Sequence, residues 1–320
     1  MSGTYNGAMD LSRIANSIVT RLIVFGIAVA LITGVARYFL LSDFLRADLE
    51  KVVSSQQEAL ADYVARDIDY KITERKRVLK QLASILPLGL LEQPAQLQSW
   101  LRERHEFQPM FSQGLFVTDV NGVAIADYPV LPHRMGTNYF DRDYIVAALA
   151  GEVTVGRPVM GRAANEPVVP MAAPIIDASG KVRAVVAGIT ATAAPGFFDL
   201  LQQIHIGETG GFLLVSPRDQ IFVAATKPEL ILKPTASSGV NSLHDRALAG
   251  WRGSGITVNG QGIEEVSAVA SVPSTGWFVV ARIPTEEAFA TVKRTQNYII
   301  RNAFIIIGFF LVILAIGLSI

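Results

Sequence analysis

The sequence predicts an α+β protein in which two similar antiparallel modules are carried on a long N-terminal helix and flanked by two transmembrane helices. Three observations support this fold class. Long apolar runs lie near both ends of the 320-residue chain. After the first run, a stretch of about 45 residues has apolar side chains at three- and four-residue steps, which is the period of an α-helix. The middle of the chain then changes to the two-residue period of β-strands, in a pattern that occurs twice.

The first apolar run, residues 18–41, is predicted to span a membrane. At a rise of about 1.5 Å per residue, roughly 20 residues cross a hydrocarbon core of about 30 Å. Arg13 and Arg21 precede its uninterrupted apolar part, which predicts that residues 1–17 are cytoplasmic. A cleaved signal peptide is the alternative, but no small-x-small cleavage site follows the run closely.

The second apolar run, residues 303–320, follows a predicted helix at 285–302. A buried core helix is the alternative, which the length of this uncharged run disfavours. Two spans with a cytoplasmic start place residues 42–297 outside the cytoplasm, and the absence of cysteine fits a bacterial periplasm. The sequence thus predicts a two-pass protein of the bacterial inner membrane. Because it ends within the second run, we expect it to be part of a longer protein with a cytoplasmic output module.

The composition excludes several classes of function. The 28 basic residues are balanced by 28 acidic residues, so the chain lacks the positive charge that favours nucleic acid. There is no cysteine, which excludes disulfides, thiolate catalysis and iron–sulfur clusters. The four histidines have no spacing typical of a metal site. We therefore expect no metal, no other cofactor and no nucleic-acid partner.

Residues 42–86 are predicted to form one long helix that continues from the first span and is roughly 65 Å long. The basic run at 75–77 is assigned to its solvated face. A helical hairpin with a break near Gln56 is the alternative. A homodimer through this stalk is the expected assembly, because a long amphipathic helix can form a coiled coil. The apolar face is marked by Leu60, Val64, Ile68 and Ile72.

The first module, residues 87–195, is predicted from a strong hairpin signal. GLFVTDV and VAIADY flank Asn121-Gly122, a pair that favours a type I′ turn. Gly151 is expected to end a helix at the C′ position, and Pro170 and Pro174 indicate an edge strand or a bulge. The predicted elements are helices at 96–106 and 141–150 and strands at 114–120, 123–128, 168–176 and 182–190.

The second module, residues 196–284, repeats this pattern. GFLLVSPRDQIFVA, from Gly211, has the same order of apolar and polar positions as GLFVTDVNGVAIA, from Gly114. Thr285 is expected to cap the helix that follows, with Glu286 and Glu287 stabilising its first turn. The further predicted elements are a helix at 242–249, strands at 255–258, 263–272 and 277–283, and turns at 259–260 and 273–276.

Over residues 42–291 the sequence resembles the double Cache extracellular sensor domains of bacterial receptors. The resemblance implies a PAS-like fold in both modules, with small ligands bound mainly in the first, membrane-distal module. It also implies a cytoplasmic output, for which we favour a diguanylate cyclase or a histidine kinase over a chemotaxis module. Five segments in the expected order carry it: NYFDRDYIVAALAGE (138–152), GRPVMGR (156–162), MAAPIIDASGKVRAVVAGIT (171–190), IGETGGFLLVS (206–216) and VPSTGWFVVARI (272–283).

Arg142 is the leading candidate for a ligand contact. It begins the predicted helix 141–150, where a cation opposes the helix dipole by about 0.3–1 kcal/mol. Asp141 and Asp143 offer local compensation. Alternatively, Arg142 and the helix N-terminus hold a ligand anion, and the guanidinium binds a carboxylate in bidentate fashion. The resemblance favours the second interpretation, because the ligand-contacting arginine of the family falls at Arg142.

The resemblance also implies that Tyr144 forms a wall of the pocket. In similar proteins that bind amino acids, acidic residues late in the domain meet the ligand ammonium, whereas Gly161 and Thr190 occupy those places here. We therefore expect a small carboxylate or another anion rather than an amino acid. The remaining candidates for ligand contacts, some equally compatible with a place in the core, are Asp143, Tyr139, Tyr128, Met160 and Thr190.

The leading functional hypothesis is a transmembrane sensor. A small ligand closes the first module, which shifts the long helix or the last helix against the dimer mate, and the spans carry this shift inward. A membrane-anchored ectoenzyme is one alternative, but the sequence shows neither a nucleophile with its base nor a metal cluster. A structural protein that assembles through the stalk is the other. The chain itself is therefore not expected to be an enzyme.

Overall fold

The computed structural model describes residues 18–319. The predicted cytoplasmic segment 1–17, with Arg13, and the last residue of the predicted second span, Ile320, lie outside the described residues. The chain forms two compact units. One holds Ser54–Glu287, and the other combines the described residues up to Val53 with those from Ala288 onward.

Helix α1, Ile18–Ile85, is a single uninterrupted helix. This confirms the predicted long helix, and the alternative of a hairpin broken near Gln56 is wrong, because no helix-breaking residue interrupts the α-helical pattern at that point.

The first module (residues 87–195) contains a 3₁₀ turn at Leu88–Glu92, α2 (Pro94–Phe107), β1 (Leu115–Thr118), β2 (Ala124–Tyr128), α3 (Asp143–Leu149), β3 (Thr154–Val155), β4 (Val159–Met160), β5 (Pro167–Ile176) and β6 (Val182–Ala191). The second module (residues 196–284) contains α4 (Asp199–Gln203), β7 (Gly211–Ser216), β8 (Ile221–Ala225), a 3₁₀ turn at Pro228–Leu230, α5 (Ser242–Leu248), β9 (Gly253–Val258), β10 (Glu264–Val272) and β11 (Trp277–Pro284). Helices α6 (Thr285–Ala288) and α7 (Ala290–Ser319) follow.

Each module is an antiparallel sheet. The strand order is β2-β1-β6-β5-β3 in the first, with β4 also paired to β5, and β8-β7-β11-β10-β9 in the second. In both modules a hairpin is followed by a helix and then by strands that return to lie beside the first strand of the hairpin. This common topology confirms the predicted fold class of two PAS-like modules.

The predicted hairpin at Asn121 is present, but its turn differs. Between β1 and β2, Asp119 Oδ1 accepts hydrogen bonds from the backbone N–H groups of Asn121 and Val123 at 2.9 and 2.8 Å. Gly122 has a positive φ of 78° and Asn121 does not, whereas a type I′ turn needs two such residues. The predicted turn type is therefore wrong, because the aspartate organises a longer loop through its own side chain. Asn259 organises the β9–β10 loop in the same way.

Pro170 and Pro174 lie in β5, near the edge of the first sheet. The outer side of β5 pairs with the two-residue strands β3 and β4. The carbonyl of Pro170 accepts a hydrogen bond from the N–H of Gly156 on that outer side, at 2.9 Å. The missing N–H of this proline therefore falls where the ladder is incomplete. A register shift follows Pro174, between Ile175 and Ile176. Strand β5 is paired on both sides and is therefore not an edge strand, whereas the irregularity, the other alternative that the prolines predict, is present.

The main core lies between α1 and both sheets. Val64, Ile68, Ile72 and Leu79 of α1 are fully buried and belong to one hydrophobic cluster with strand residues of both modules. A smaller cluster on the outer face of the first sheet includes α3, and another on the second sheet includes α5. Each sheet is therefore covered on both faces, with α1 on the shared side.

The basic run of α1 differs from the prediction at its first residue. Arg75 is buried: its Nε donates a hydrogen bond to the Met110 carbonyl at 3.1 Å, and its Cζ lies 4.4 Å from the centre of the Phe197 ring. Burial lowers the pKa of Arg75 to about 10. The assignment to the solvated face is wrong here because Arg75 lies three residues after Ile72, on the buried stripe. Arg77 is exposed, as predicted.

The segment after β11 also differs from the prediction. Thr285 is the first residue of α6, and its hydroxyl donates a hydrogen bond to the Glu264 carboxylate at 2.8 Å. The predicted N-cap at Thr285 is therefore wrong, because strand β10 offers its hydroxyl a carboxylate acceptor. Glu287 lies in the same short helix and accepts hydrogen bonds from the N–H and the hydroxyl of Thr209 at 3.1 and 2.8 Å.

The unit formed by the described residues up to Val53 and from Ala288 onward contains apolar parts of two helices that are long enough to cross a membrane. A side chain added at Gly26 of α1 would lie 3.2 Å from the Phe310 ring of α7, and one at Gly34 would lie 3.9 Å from Ala303. The earlier glycine of α1 faces the later residue of α7, and the later glycine faces the earlier residue. The two helices therefore run antiparallel. Glycine at such contacts permits the close approach that is typical of membrane helices. The candidate spans lie within Val24–Ile85 and Ala290–Ile313.

Candidate ligand-binding site

A small cavity lies on the outer face of the first sheet, beside the N-terminal end of α3. Its volume is about 30 Å³, which holds a water molecule but not a metabolite. The turn at 161–164 between β4 and β5 forms part of its wall. The residues that line it are Phe116, Arg134, Tyr139, Arg142, Tyr144, Val159, Gly161, Arg162, Ala163, Ala164, Val168, Pro170 and Ile189.

Arg142 is the N-cap residue of α3, with φ −94° and ψ 127°. Its backbone therefore leaves the helical conformation at the point where the side chain reaches the cavity. Its Nε lies 3.8 Å from Oδ2 of Asp141, a long ion pair. Compensation by the neighbouring aspartate is thus present but weak, and the guanidinium has five N–H donors to share between this partner and the cavity.

Tyr139 and Tyr144 supply the aromatic wall of the cavity. Both are buried. Burial raises the pKa of both hydroxyls, and for Tyr139 the positive charges of the neighbouring arginines oppose this rise. Both side chains therefore remain neutral phenols that can donate a hydrogen bond to an anion. Gly156 makes room for Tyr144, because a Cβ at Gly156 would lie 2.8 Å from the Tyr144 side chain.

Arg134 is the most deeply buried cation of the cavity, with 2% of its surface exposed. Its Nη2 donates a hydrogen bond to the Gln113 carbonyl at 2.9 Å. Its Nη1 is buried without a hydrogen-bond partner among the described residues. Burial lowers the pKa of Arg134, and the charge of Asp127 and a hydrogen bond between the guanidinium and the Tyr139 hydroxyl oppose this shift. A buried guanidinium nitrogen without a partner is costly, so a ligand acceptor at this point would be bound favourably.

Arg162 provides a third guanidinium on the turn that closes the cavity. Its Nη2 donates to Asp141 Oδ2 at 2.8 Å, and its Nη1 donates to the Asn138 carbonyl at 2.9 Å. Its Cζ lies 5.5 Å from the centre of the Tyr139 ring. Asp141 thus joins the turn to the start of α3, so movement of the turn would alter the surroundings of Arg142.

The charge balance of the cavity favours an anion. The described residues that line it include three arginines and no carboxylate. Asp141 pairs with Arg142 and Arg162, and Asp127 lies near Arg134. The third nearby carboxylate, Asp143, pairs with Arg218 outside the cavity, so the three positive charges of the lining meet two negative charges. The remaining positive charge and the unpartnered Nη1 of Arg134 are features that a carboxylate can satisfy with strong, charge-assisted hydrogen bonds.

Three of the predicted contact residues, Arg142, Tyr144 and Tyr139, come together in this cavity, and four lie elsewhere. Asp143 accepts hydrogen bonds from the backbone N–H of Arg157 and pairs with Arg218 of the second module at 3.0 Å. The other three are Tyr128, whose hydroxyl donates to Glu106 at 2.6 Å; Met160, which is half exposed; and Thr190, which is buried with its hydroxyl unpartnered within the described residues.

Arg134 and Arg162 also line the cavity but were not identified from the sequence. Arg162 ends the GRPVMGR segment, where an arginine in a glycine-containing turn was a usable signal. Arg134 lies in an irregular loop between β2 and α3, and no periodic pattern marks it. Among residues 18–319, no group of three or more His, Asp or Glu side chains is arranged to hold a metal ion.

Comparison with known proteins identifies the class of this chain. A family model described as the Cache domain matches residues 45–292, which is most of the chain. The chain therefore belongs to the Cache domain family. Cache domains are sensor modules, so this chain is the ligand-sensing part of a receptor. A search of curated proteins found no match.

Solved structures with the same fold are sensor domains. The ligand-binding domain of the Pseudomonas aeruginosa amino acid chemoreceptor PctB, in complex with L-Arg, is 19% identical, with a TM-score of 0.56, over 76% of this chain and 98% of that one. The ligand-binding domain of the Pseudomonas fluorescens chemoreceptor CtaA, in complex with L-leucine, is 18% identical, with a TM-score of 0.54, over 77% and 99%. The sensor domain of the V. cholerae histidine kinase DctB is 13% identical, with a TM-score of 0.57, over 73% and 98%.

Proposed function

We propose that the first module binds a small carboxylate in the cavity beside α3. Arg134, Arg142 and Arg162 are the cationic contacts, and the hydroxyls of Tyr139 and Tyr144 are the neutral donors. The observation that carries this proposal is a lining with three arginines and no carboxylate in the described part of the chain. The arrangement suits an oxyanion, because a guanidinium binds a carboxylate in bidentate fashion.

An amino acid fits this lining less well. The similar structures of PctB and CtaA hold L-Arg and L-leucine, and the ammonium group of an amino acid needs an anionic or strong neutral acceptor. Among the described lining residues, the place expected for such an acceptor holds Gly161, and Thr190 does not line the cavity. The ligand is therefore a carboxylate without an α-ammonium group.

Ligand entry requires the turn at 161–164 to move, because the cavity of about 30 Å³ is smaller than any carboxylate of two or more carbons. The turn is held by the hydrogen bond from Arg162 to Asp141 and by one from Gln113 to Glu166. A ligand carboxylate that draws Arg162 away from Asp141 exchanges one charge-assisted bond for another. Binding can therefore be coupled to a change at the start of α3 at low cost.

The signal then passes through the helices that leave the sensor. Helix α1 contributes one stripe to the core beside both sheets and continues without interruption from residue 18 to 85. A ligand biases such an equilibrium only by its differential affinity for the two states, with about 1.4 kcal/mol needed for each tenfold shift. The output module, a diguanylate cyclase or a histidine kinase, belongs to this proposal and lies outside the chain described.

A homodimer through α1 is part of the same proposal. Tyr63 and Tyr70 are both more than half exposed on α1 and lie seven residues apart. Aromatic side chains at heptad spacing on an outward face are suited to a parallel helix pair. A cysteine at Tyr70, in a chain that has no other cysteine, should form an interchain disulfide in mild oxidant, whereas one at the buried Ile72 should not.

The proposed topology has residues 1–17 in the cytoplasm, two spans in the bacterial inner membrane and the modules outside. The antiparallel contact of α1 with α7 supports two crossings of one bilayer. A membrane-impermeant maleimide should label Ser179→Cys in intact spheroplasts and Ser2→Cys only after lysis. The reverse pattern would contradict the topology.

The binding proposal is tested by calorimetry on the full chain in nanodiscs. The probes are succinate, pyruvate and acetate, with uncharged succinamide and the amino acids L-arginine and L-leucine for comparison. We expect at least one carboxylate to bind, and Arg142→Ala to weaken it about 10- to 100-fold, as loss of a hydrogen bond to a charged group does. Arg183→Ala, an exposed arginine of β6, is the matched control. Equal affinity in the two variants, or tighter binding of the amino acids, would remove the proposal.

A further inference from the structure

The second module contains a larger cavity than the first. It lies between the outer face of the second sheet, α5 and the loop at 226–241, and its volume is about 380 Å³. That volume falls within the range of about 300–1,000 Å³ that is typical of sites for small molecules. The side chains of Val215, Phe222, Val280 and Leu243 supply an apolar wall, with Val215, Val280 and Leu243 in the cluster that includes α5.

A paired carboxylate and guanidinium, Glu265 and Arg282, are part of the wall of this cavity. Glu265 of β10 is buried, with 4% of its surface exposed. Its Oε2 accepts hydrogen bonds from Arg282 Nη1 at 3.1 Å and from Asn259 Nδ2 at 2.9 Å, and its Oε1 accepts one from Ser267 at 3.3 Å. The carboxylate and the guanidinium therefore neutralise each other inside the wall. The carboxylate is buried and the guanidinium is one-fifth exposed, and an ion pair of this kind is a weak source of stability.

His244 of α5 provides a second, independent observation. It lines the same cavity, and its Nε2 is buried without a hydrogen-bond partner in the described part of the chain. Burial lowers the pKa of His244, with the charge of Asp245 opposing the shift, so the ring is neutral near pH 7. A buried polar atom without a partner costs about 1–3 kcal/mol, and rotation of the His244 side chain towards a ligand in the cavity would remove this cost.

We infer that this cavity is a second ligand site, which takes an uncharged small molecule with an apolar ring or chain and one amide-type edge. The placement of Glu265 beside Arg282 gives an acceptor and a donor side by side. An amide or lactam presents the complementary pair, with its carbonyl accepting from Arg282 and its N–H donating to Glu265. At this pair a ligand anion would meet the buried carboxylate of Glu265, and a ligand cation would meet Arg282. The two exposed charges of the lining, Lys227 and Glu229, also cancel each other, so neither sign of ligand charge is favoured.

This site goes beyond the proposed function of the first module. The charges in the wall of the second cavity cancel, whereas those of the first cavity are positive. The second site is therefore tested with uncharged probes and the first with carboxylates. Failure of carboxylate binding to the first module would leave it unaffected, and the reverse also holds. The two sites are separated experimentally by Arg142→Ala, which should leave the second site unchanged.

The test uses nicotinamide and nicotinate, which share one ring and differ in charge, with thymine as a lactam probe. On the full chain in nanodiscs, we expect nicotinamide or thymine to raise the melting temperature of the sensor and to bind with millimolar or better affinity. Nicotinate should bind at least about tenfold more weakly than nicotinamide, the factor that corresponds to about 1.4 kcal/mol.

Two loop variants locate the binding. Ala236 lines the cavity, and its neighbour Ser237 is exposed and does not line it. Ala236→Phe should fill the cavity and abolish binding, whereas Ser237→Phe should retain it. His244→Phe keeps the ring shape but removes Nε2, and should weaken binding about tenfold, as loss of one hydrogen bond does. The inference is overturned if neither uncharged probe binds at about 10 mM, if nicotinate binds as tightly as nicotinamide, or if Ala236→Phe leaves binding intact.

Discussion

The two modules have the same strand order, yet the cavities on their outer faces differ in size and in charge. In the first module the cavity is about 30 Å³ and three arginines line it. In the second it is about 380 Å³, and its buried carboxylate and guanidinium are already paired. The fold therefore repeats the scaffold but not the site. We expect that what each cavity binds depends on a few side chains on loops and strand ends, where substitution leaves the topology unchanged.

The largest expected difference between the modules is in the effect of Arg134→Met. It removes the buried cation of the first cavity while keeping an apolar stem of similar length. We expect the affinity for the carboxylate identified by calorimetry to fall about 100-fold, since both a charge and a hydrogen-bond donor are lost. Arg134→Lys, which keeps the charge without the planar fork, should give an intermediate loss.

Nicotinamide binding is the internal control for Arg134→Met. It reports on the second cavity and should change less than about twofold, because distant sites behave additively. If Arg134→Met bound the carboxylate as tightly as the wild type, the arginine-lined cavity would not be the binding site. The proposed difference in ligand chemistry between the two modules would then be wrong.

The next effect concerns the packing that shapes the first cavity. Gly156→Val places a branched side chain where even a Cβ would lie 2.8 Å from the side chain of buried Tyr144. We expect a loss of about 1–3 kcal/mol in the free energy of unfolding, as is typical of overpacking. Gly89→Ala, at a position where an added Cβ meets nothing within 4 Å, is the control and should cost less than about 0.5 kcal/mol. Denaturant unfolding measures both.

Gly156→Val also separates stability from the second site. If Tyr144 is displaced, carboxylate binding should fall together with stability, while nicotinamide binding at temperatures below the transition is retained. A valine variant as stable as the wild type would mean that Tyr144 can move at little cost, and that the wall of the first cavity is not rigid.

The fold was predictable from local periodicity, and the exceptions have physical causes. Alternating strands and a helical stripe are encoded residue by residue, so the two sheets and α1 were predictable. Arg75 was assigned to the wrong face because its charge was weighed above its position, although Ile72 and Leu79 place it on the buried stripe. The turn type at Asn121-Gly122 was wrong because Asp119, outside the dipeptide, controls the loop.

The site was predictable only in part. Arg142 and Tyr144 lie two residues apart at the start of one helix, so local sequence places them together. Arg134 reaches the cavity from an irregular loop, and tertiary packing alone decides that position. The polar residues of the second cavity could not be predicted for the same reason. Glu265 and Arg282 lie on paired strands, and a single polar residue that faces a cavity changes the alternating pattern of its strand only slightly.

A smaller effect is expected on the pH dependence of stability. Burial lowers the folded-state pKa of His244 below its ordinary value of 6.5, so the unfolded chain takes up the proton at a higher pH than the folded chain. The contribution of this residue is therefore fully present above about pH 6.5 and is lost as pH falls from there towards the folded pKa. The melting temperature of His244→Gln should decrease less between pH 7 and pH 5 than that of the wild type.

His205 is the control for this measurement. It is exposed, its Nδ1 lies 3.0 Å from the Gln203 carbonyl oxygen, and no cavity described above includes it. The slope of melting temperature against pH is measured for His205→Gln in the same way. If His244→Gln and His205→Gln gave the same slope, the histidine of the second cavity would be no more desolvated than a surface histidine, and one support for the second site would be lost.

The smallest expected effect is at the contact between the modules. Asp143, at the start of α3, pairs with Arg218 of the β7–β8 loop at 3.0 Å, and both side chains are substantially exposed. A double-mutant cycle with Asp143→Asn and Arg218→Gln should give a coupling energy of about 0.2–1 kcal/mol.

The Asp143 carboxylate faces Arg157 and Arg218 and does not line the arginine-rich cavity. Asp143→Asn should therefore change carboxylate affinity by less than about threefold, which is well below the effect of one lost charged contact. A loss as large as that of Arg134→Met would place Asp143 in the ligand site, as its position in the sequence suggests, and would mean that the contact between the modules opens when ligand binds.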